Sequence, residues 1–246
     1  MIYRFDTVTS TNDVAREPQY VHGDIVCAEF QTAGRGQRGH VWSSGRGENL
    51  MFTAVVCPTF LAVRDQFMLS KAVALALTDT LAAFGIETRI KWTNDIYAGD
   101  RKIVGVLIEQ NVTGPTISRS VIGIGINVNQ TAFDPSLPNP VSMAQLLGHR
   151  CDRDEVLAAF VESFGKRYGE LERGDRESLS DEYRTRMYRL GRKFPYRLAD
   201  GLIAEASIEG VAPSGALVLR HADGLLREYA FGEVEFIVAN GCAFGK

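Results

Sequence analysis

Cysteine and histidine are scarce in this chain, and those present are scattered. Cys27, Cys57, Cys151 and Cys242 form no C-x-x-C pair, and His22, His40, His149 and His221 are equally dispersed. This argues against a disulfide framework and leaves no pattern for a protein-ligated zinc or iron site. No Cys/His or Ser/His nucleophile motif stands out either. Long apolar runs are missing: nothing approaches the ~20 residues of a membrane span. The opening MIYRFDTVTSTND has no basic segment followed by an apolar one, so no export signal is read. Nor is charge of one sign in excess. The net charge of −3 and pI near 5.9 supply no global field toward nucleic acid or a membrane surface. The expected compartment is the cytoplasm, with reduced thiols. There is no internal repeat and no low-complexity tract.

What is present is an ordinary globular composition, 45% apolar over 246 residues, with room for one large core and one small satellite domain. Residues 1–190 alternate strand and helix patterns. Residues 25–30, 51–57, 88–92, 102–110 and 120–128 read as strands, and Gly99-Asp100 suits a tight turn between the third and fourth of these. Residues 68–84 carry an apolar stripe at helical spacing. A long amphipathic helix follows Asp152, with Glu155 three residues on as a capping box and Val156, Phe160, Phe164, Tyr168 and Leu171 as its buried face. Residues 177–187 look like a last helix. Beyond Gly191 the texture changes to short strands at 193–198, 203–209, 217–220 and 234–238, with turn residues between them, the pattern of a small β-barrel. The expected fold class is α+β, a mixed sheet packed with helices plus a small C-terminal β-barrel. The expected domains are 1–190 and 191–246.

Four stretches carry chemistry. In Gly34-Arg35-Gly36-Gln37-Arg38-Gly39, three glycines remove side chains that would keep backbone amides from an anion, and two arginines add bidentate donors. The run matches G-x-G-x-x-G, yet HVWSSGRGENL follows with no helical period, so neither a dinucleotide turn nor a P-loop is read. Ser10-Thr11-Asn12-Asp13 is either an N-cap cluster or a set of short side chains reading a polar ligand head. Lys91-Trp92-Thr93-Asn94-Asp95 ends one strand and Asp100-Arg101-Lys102 opens the next. Alternation puts Lys102 on one face with Val104, Val106 and Ile108, either snorkelling or aimed at an anion. In the strand around Gly123, one face carries Ile122, Ile124, Ile126 and Val128, and the other Gly123, Gly125 and Asn127. Two glycines on one face imply close approach of backbone or ligand, and the flat face suits a planar ring.

In order, S-T-N, Q-x-A-G-R-G-x-x-G-x-x-W, K-W-x-N-D, D-R-K-I-x-G-x-L-I-E and G-I-G-I-N-x-N resemble the biotin protein ligases (biotin–acetyl-CoA-carboxylase ligases). The match is close over roughly residues 3–190 and weaker through Gly232-Glu233-Val234. The resemblance implies a ligase that makes biotinyl-5′-AMP from biotin and MgATP and passes the biotinyl group to one lysine of a biotin carboxyl carrier domain. It also implies that the small barrel is SH3-like. Ser10, Thr11, Asn12 and Gln31 would contact the ureido ring, and Gly34, Arg35, Gly36 and Gln37 would close over the intermediate. Trp42 and Asn127 would serve the adenine, with Gly105, Gly123 and Gly125 beneath the ligand. Lys102 would meet the biotin carboxylate and the phosphate. Asn94 and Asp95 would stand where the carrier lysine enters, so that Lys102, Arg35 and Asp95 form the expected catalytic set. Biotin, ATP and Mg²⁺ are the expected ligands, with no metal site built from protein side chains.

Three positions depart from the family pattern: Thr93 stands for proline, Gln37 for a second loop arginine, and Glu209-Gly210-Val211 for a Gly-Ile-Asp turn. With no helix-turn-helix before Ile2, a monofunctional type that binds no DNA is expected. A homodimer stays open, and no membrane partner is expected. The alternatives are a lipoate or octanoate ligase, which shares the architecture, and a non-catalytic nucleotide- or RNA-binding module. Net acidity and the lack of interleaved basic and aromatic residues weigh against the last.

Overall fold

The computed structural model describes residues 1–237, and in it two sheets share one hydrophobic core. Val238 and Cys242, named above, lie outside the described residues. The first sheet is built from β1 (Ile2–Val8), β2 (Ile25–Gln31), β3 (Leu50–Val56), β4 (Arg89–Lys91), β5 (Asp95–Ala98), β6 (Arg101–Thr113) and β7 (Thr116–Ile126). Its order is β1-β2-β3-β7-β6-β5-β4. Only the β1–β2 pairing is parallel; the other five are antiparallel, so the sheet is mixed.

Alternation divides its two faces. Phe52, Ala54 and Val56 of β3 and Ile122, Ile124 and Ile126 of β7 join the core with α2 (Phe67–Ala83) and α4 (Arg153–Arg173). Leu69, Val73, Leu77 and Leu81 repeat every four residues along α2 and are at most 1% exposed. The opposite face carries Val55 and Val121 against Ala15 and Tyr20, beside the short helix α1 (Thr11–Ala15). The remaining helices are α3 (Met143–Leu147) and α5 (Arg176–Thr185). Among the described residues no helix is long and apolar enough to cross a membrane.

The second sheet contains β8 (Lys193–Leu198), β9 (Ile203–Val211), β10 (Leu217–His221), β11 (Leu226–Tyr229) and β12 (Val234–Phe236), ordered β11-β10-β9-β8-β12 and wholly antiparallel. It is the small C-terminal β unit that the close strand spacing anticipates.

Several details differ from the sequence reading, which named neither β1 nor α3. β5 was not anticipated: Gly99-Asp100 turns β5 into β6, rather than the strand at 88–92 into β6. Four residues after Thr93-Asn94 are too few to display a period. β11 was also missed, because LREY has no buried position and so no apolar face. Asp152 caps α4 by accepting from the Asp154 amide, one residue short of capping-box geometry, whereas the reciprocal box forms at Ser142 and Gln145 of α3. Finally, β6 carries a bulge. Ile96 pairs with Val104 and Tyr97 with Lys102, so two steps on β6 oppose one on β5. The extra residue inverts the phase, and Lys102 shares a face with Gly105, not with Val104 and Val106.

Candidate functional site

Register builds the floor. Gly105 of β6 pairs with Gly125 of β7, Leu107 with Gly123, and β3 sets Met51 and Thr53 beside the same two glycines. Three positions thus lack side chains. The chain's own groups use the space: a Cβ on Gly123 would overlap the Asn12 carboxamide, and one on Gly105 or Gly125 would overlap the Trp42 indole. The flat face expected to take a planar ring does so here with tryptophan.

At one end stands a network of short polar side chains. Ser10, Thr11 and Asn12 are each 3% exposed; Ser10 is the N-cap and the other two lie within α1 itself. Gln31 Oε1 accepts from the Thr11 amide at 2.7 Å and its hydroxyl at 3.2 Å. Asn12 Nδ2 donates to Glu109 at 2.8 Å, and the Thr53 hydroxyl donates to Asn12 Oδ1 at 2.6 Å. Arg119 on β7 fixes the far end of α1, its Nη2 donating to the carbonyls of Ala15, Glu17 and Tyr20. These residues are held in place before any ligand arrives.

The glycine loop is a small flap folded on itself. Arg35 bridges to Val41, Gly36 N–H donates to the His40 carbonyl at 2.6 Å, and Trp42 N–H donates to the Gly34 carbonyl at 3.0 Å. The Gly36 amide, expected to face an anion, is used within the flap. Gly34 does not reach the cavity: it lies where a Cβ would strike the Trp42 carbonyl. Arg35 makes a two-pronged contact with Asp13, at 2.7 and 2.9 Å, and lies 3.5 Å from Glu109. The bond to Asp13, despite partial burial, pushes the guanidinium above its usual range. Arg35 is therefore a paired cation, not a free one. Gln37 sits 3.5 Å from the Thr93 hydroxyl, so two of the departures from the family pattern touch.

At the other end Lys102 Nζ contacts Asp95 Oδ1 at 2.7 Å and lies 5.9 Å from the Trp42 ring. Asn127 is 5% exposed, and its amide donates to the Lys102 and Val141 carbonyls, tying the 139–141 segment to β6. Asn94 Oδ1 is buried with no hydrogen-bond partner. Lys91, on β4, is the cross-strand partner of Asp95.

One cavity of about 970 Å³ joins these parts. Ser10, Thr11, Asn12, Gln31, Arg35, Gly36, Gln37, Trp42, Asn94, Asp95, Lys102, Gly105, Gly123, Gly125 and Asn127 all line it, as do Arg197–Ala199 and residues 231–237 of the second sheet. The sequence reading did not single out Thr53, and it gave no role to Glu109 and Lys91, which its motifs contain. Thr53 had a signal, being the lone polar residue in the fully buried strand LMFTAVV. Among the described residues no group of three or more His, Cys, Asp or Glu side chains could hold a metal ion.

The biotin/lipoate A/B protein ligase family pattern matches residues 2–127. The chain is 33% identical over 206 residues to the biotin–[acetyl-CoA-carboxylase] ligase of Paracoccus denitrificans, covering 81% of this chain and 85% of that protein. It is 30% identical to the bifunctional ligase/repressor BirA of Bacillus spizizenii, covering 94% of this chain and 72% of the relative. Its fold matches that of the Aquifex aeolicus biotin protein ligase in complex with biotin and ATP, with a TM-score of 0.83, 23% identity and coverage of 97% and 99%. Five ordered motifs converging on one cavity agree with these matches, and the chain belongs to the biotin/lipoate A/B protein ligase family.

Proposed function

We propose that this chain is a biotin–[acetyl-CoA-carboxylase] ligase, which activates biotin with ATP as biotinyl-5′-AMP and transfers the biotinyl group to a lysine of a biotin carboxyl carrier domain. The observation that carries this reading is the order of groups along one cavity: the Ser10–Asn12 and Gln31 network at one end, a glycine floor beneath Trp42 in the middle, and the Lys102–Asp95 pair at the other end. Residues 1–190 form the catalytic domain in this proposal, and 191–246 a small barrel that completes the rim. The unpaired thiols of Cys27, Cys57 and Cys151 suit a cytoplasmic location.

In the first step a biotin carboxylate oxygen attacks the α-phosphorus, and the bond to the diphosphate oxygen breaks. Two anions meet, so positioning and charge neutralisation carry the rate. Lys102 is the cation assigned to that meeting point; to act there, its ammonium exchanges Asp95 for the ligand. Mg²⁺ arrives on the phosphates of ATP as part of the substrate. Arg35, held by Asp13, keeps the flap down and water out. In the second step the lysine nitrogen forms a bond to the biotinyl carbonyl carbon, the C–O bond to AMP breaks with its electron pair leaving on AMP, and Asp95 takes the proton.

Biotin-dependent exchange of labelled diphosphate into ATP tests the reading, with lipoate and octanoate as parallel arms. Exchange with biotin alone is expected. Exchange with lipoate or octanoate and none with biotin would overturn it.

A further inference from the structure

Asp95 is held by two lysines, not one. Lys102 Nζ meets Oδ1 at 2.7 Å, and Lys91 Nζ stands 3.9 Å from Oδ2. The two lysines are mounted differently. Lys102 rises from the bulge of β6, reaches along the open floor and is 32% exposed. Lys91 is 19% exposed, and its ammonium lies over the rings of Tyr97 at 5.0 Å and Phe236 at 5.2 Å, between the two sheets. As the cross-strand partner of Asp95 it is fixed by backbone pairing as well. Both ammonium groups border the cavity, Lys102 on its floor and Lys91 wedged between the two sheets.

We propose that Lys91 is a positioning residue for the transfer step, holding Asp95 as an oriented carboxylate once the ligand's anions draw Lys102 away. This rests on the ligase reading above. When Lys102 leaves, the half-buried carboxylate loses the contact that fixes its orientation. Lys91 Nζ has only about 1 Å to close to reach charge-assisted hydrogen-bond distance from Oδ2. Asp95 then accepts the proton from the carrier amine on its other oxygen as the C–N bond forms and AMP departs. Lys91 exchanges no proton and touches no substrate.

The charged and titratable groups around the pair are few. Tyr97 on β5, Lys102 on β6, Arg189 before β8 and Glu235 on β12 face it. Burial lowers the Lys91 pKa, Asp95 opposes that, Arg189 lowers it further and Glu235 opposes it. The Lys91 cation is thus sustained by the Asp95 carboxylate.

The test separates the two half-reactions in Lys91→Met, Lys91→Gln and Lys91→Arg, with diphosphate exchange for adenylation and single-turnover labelling of a purified carrier domain for transfer. The ratio of transfer to adenylation is expected to fall about tenfold or more in the Met and Gln variants. Lys91→Arg should restore it. Hydroxylamine, already neutral near pH 7 and needing no base, should discharge the adenylate equally in all four proteins. The proposal is overturned if the Met and Gln variants keep the wild-type ratio, or if Lys91→Arg is as impaired as they are. Absence of biotin-dependent exchange in the wild type would instead sink the ligase reading itself.

Discussion

Lys102 Nζ is held by Asp95 at 2.7 Å, so the first anion of the reaction competes with a carboxylate for it. Lys102→Met keeps the stem and removes the charge; diphosphate exchange should fall about a hundredfold or more, with thermal unfolding little changed. Exchange near the wild-type rate would remove Lys102 from the catalytic set. Gly125 tests the floor differently. A valine suits a strand, but its Cβ would occupy the seat of the Trp42 indole. Gly125→Val should therefore shift tryptophan fluorescence and abolish calorimetrically measured biotin and ATP binding in a protein that still folds. Unchanged binding would mean that the indole can move aside freely. Gln37 puts a neutral side chain on the flap, and its contact with Thr93 is neutral too. A charged donor there is worth about 1.5–3 kcal/mol, roughly ten- to a hundredfold in retention of the adenylate. Gln37→Arg should lower stray biotin labelling of serum albumin added to the reaction; equal labelling would show that the flap retains the intermediate without it. The residues facing the cavity were legible because each is odd for its place: glycines inside a strand, an arginine between glycines, a lysine opening an apolar strand. Those that hold them were not. Glu109 and Lys91 look like ordinary charged residues at strand ends, and their roles depend on partners 97 and four residues away.

Strands and helices were legible where their period was long enough. The stripe of α2 and the alternation of β7 gave both element and face, and the structure keeps them. A bulge leaves no periodic mark, so the phase of β6 was read one residue out at Lys102. Arg119 shows how an element can act at a distance. Its guanidinium closes the carbonyl end of α1, the helix that carries Thr11 and Asn12. Arg119→Met should raise the KM for biotin several-fold while leaving kcat nearly constant, because α1 loosens but the reacting groups stay. A fall in kcat alone would place its effect elsewhere. Behind the sheet, Asp79 of α2 accepts from Arg167 of α4 and from Arg186 beyond α5. Burial alone would raise the Asp79 pKa; the two guanidinium hydrogen bonds outweigh it and hold the group below its usual value. With the folded pKa depressed, the stabilisation is present above the unfolded value and is lost as pH falls through the folded one. Asp79→Asn should cost about 1–3 kcal/mol at pH 7, and chemical denaturation should find the two proteins converging as pH falls below the usual carboxylate range. A difference constant with pH would assign the loss to packing instead of charge.

The two sheets meet at the segment that carries Lys91, Asn94 and Asp95. Trp92 is 6% exposed between Lys91 and Thr93, and its indole N–H donates to the Gly215 carbonyl in the turn between β9 and β10 at 2.9 Å. The Tyr183 hydroxyl of α5 donates to the Thr93 carbonyl at 3.2 Å, and the Tyr188 amide pairs with the Ile90 carbonyl at 2.8 Å. Residues 90–95 are thus suspended between helix, first sheet and second sheet. Such a junction is invisible in sequence: the change of texture at Gly191 marks a second unit, but nothing there says that its β9–β10 turn holds a tryptophan 123 residues earlier. The consequence is that the second sheet sets the position of Asp95 and Lys91 as well as completing the rim. Trp92→Phe keeps most of the ring and deletes one buried donor, leaving the Gly215 carbonyl unsatisfied at a cost of about 1–3 kcal/mol. If the second sheet only adds stability, both half-reactions should keep their rates below the new melting temperature. If it positions the Lys91–Asp95 pair, transfer to the carrier should slow more than diphosphate exchange at a temperature where the variant is fully folded. The second outcome is expected, because Asp95 lies three residues from the lost bond and is itself the group assigned to the transfer step. Equal rates in both assays would reduce the second sheet to a wall of the cavity.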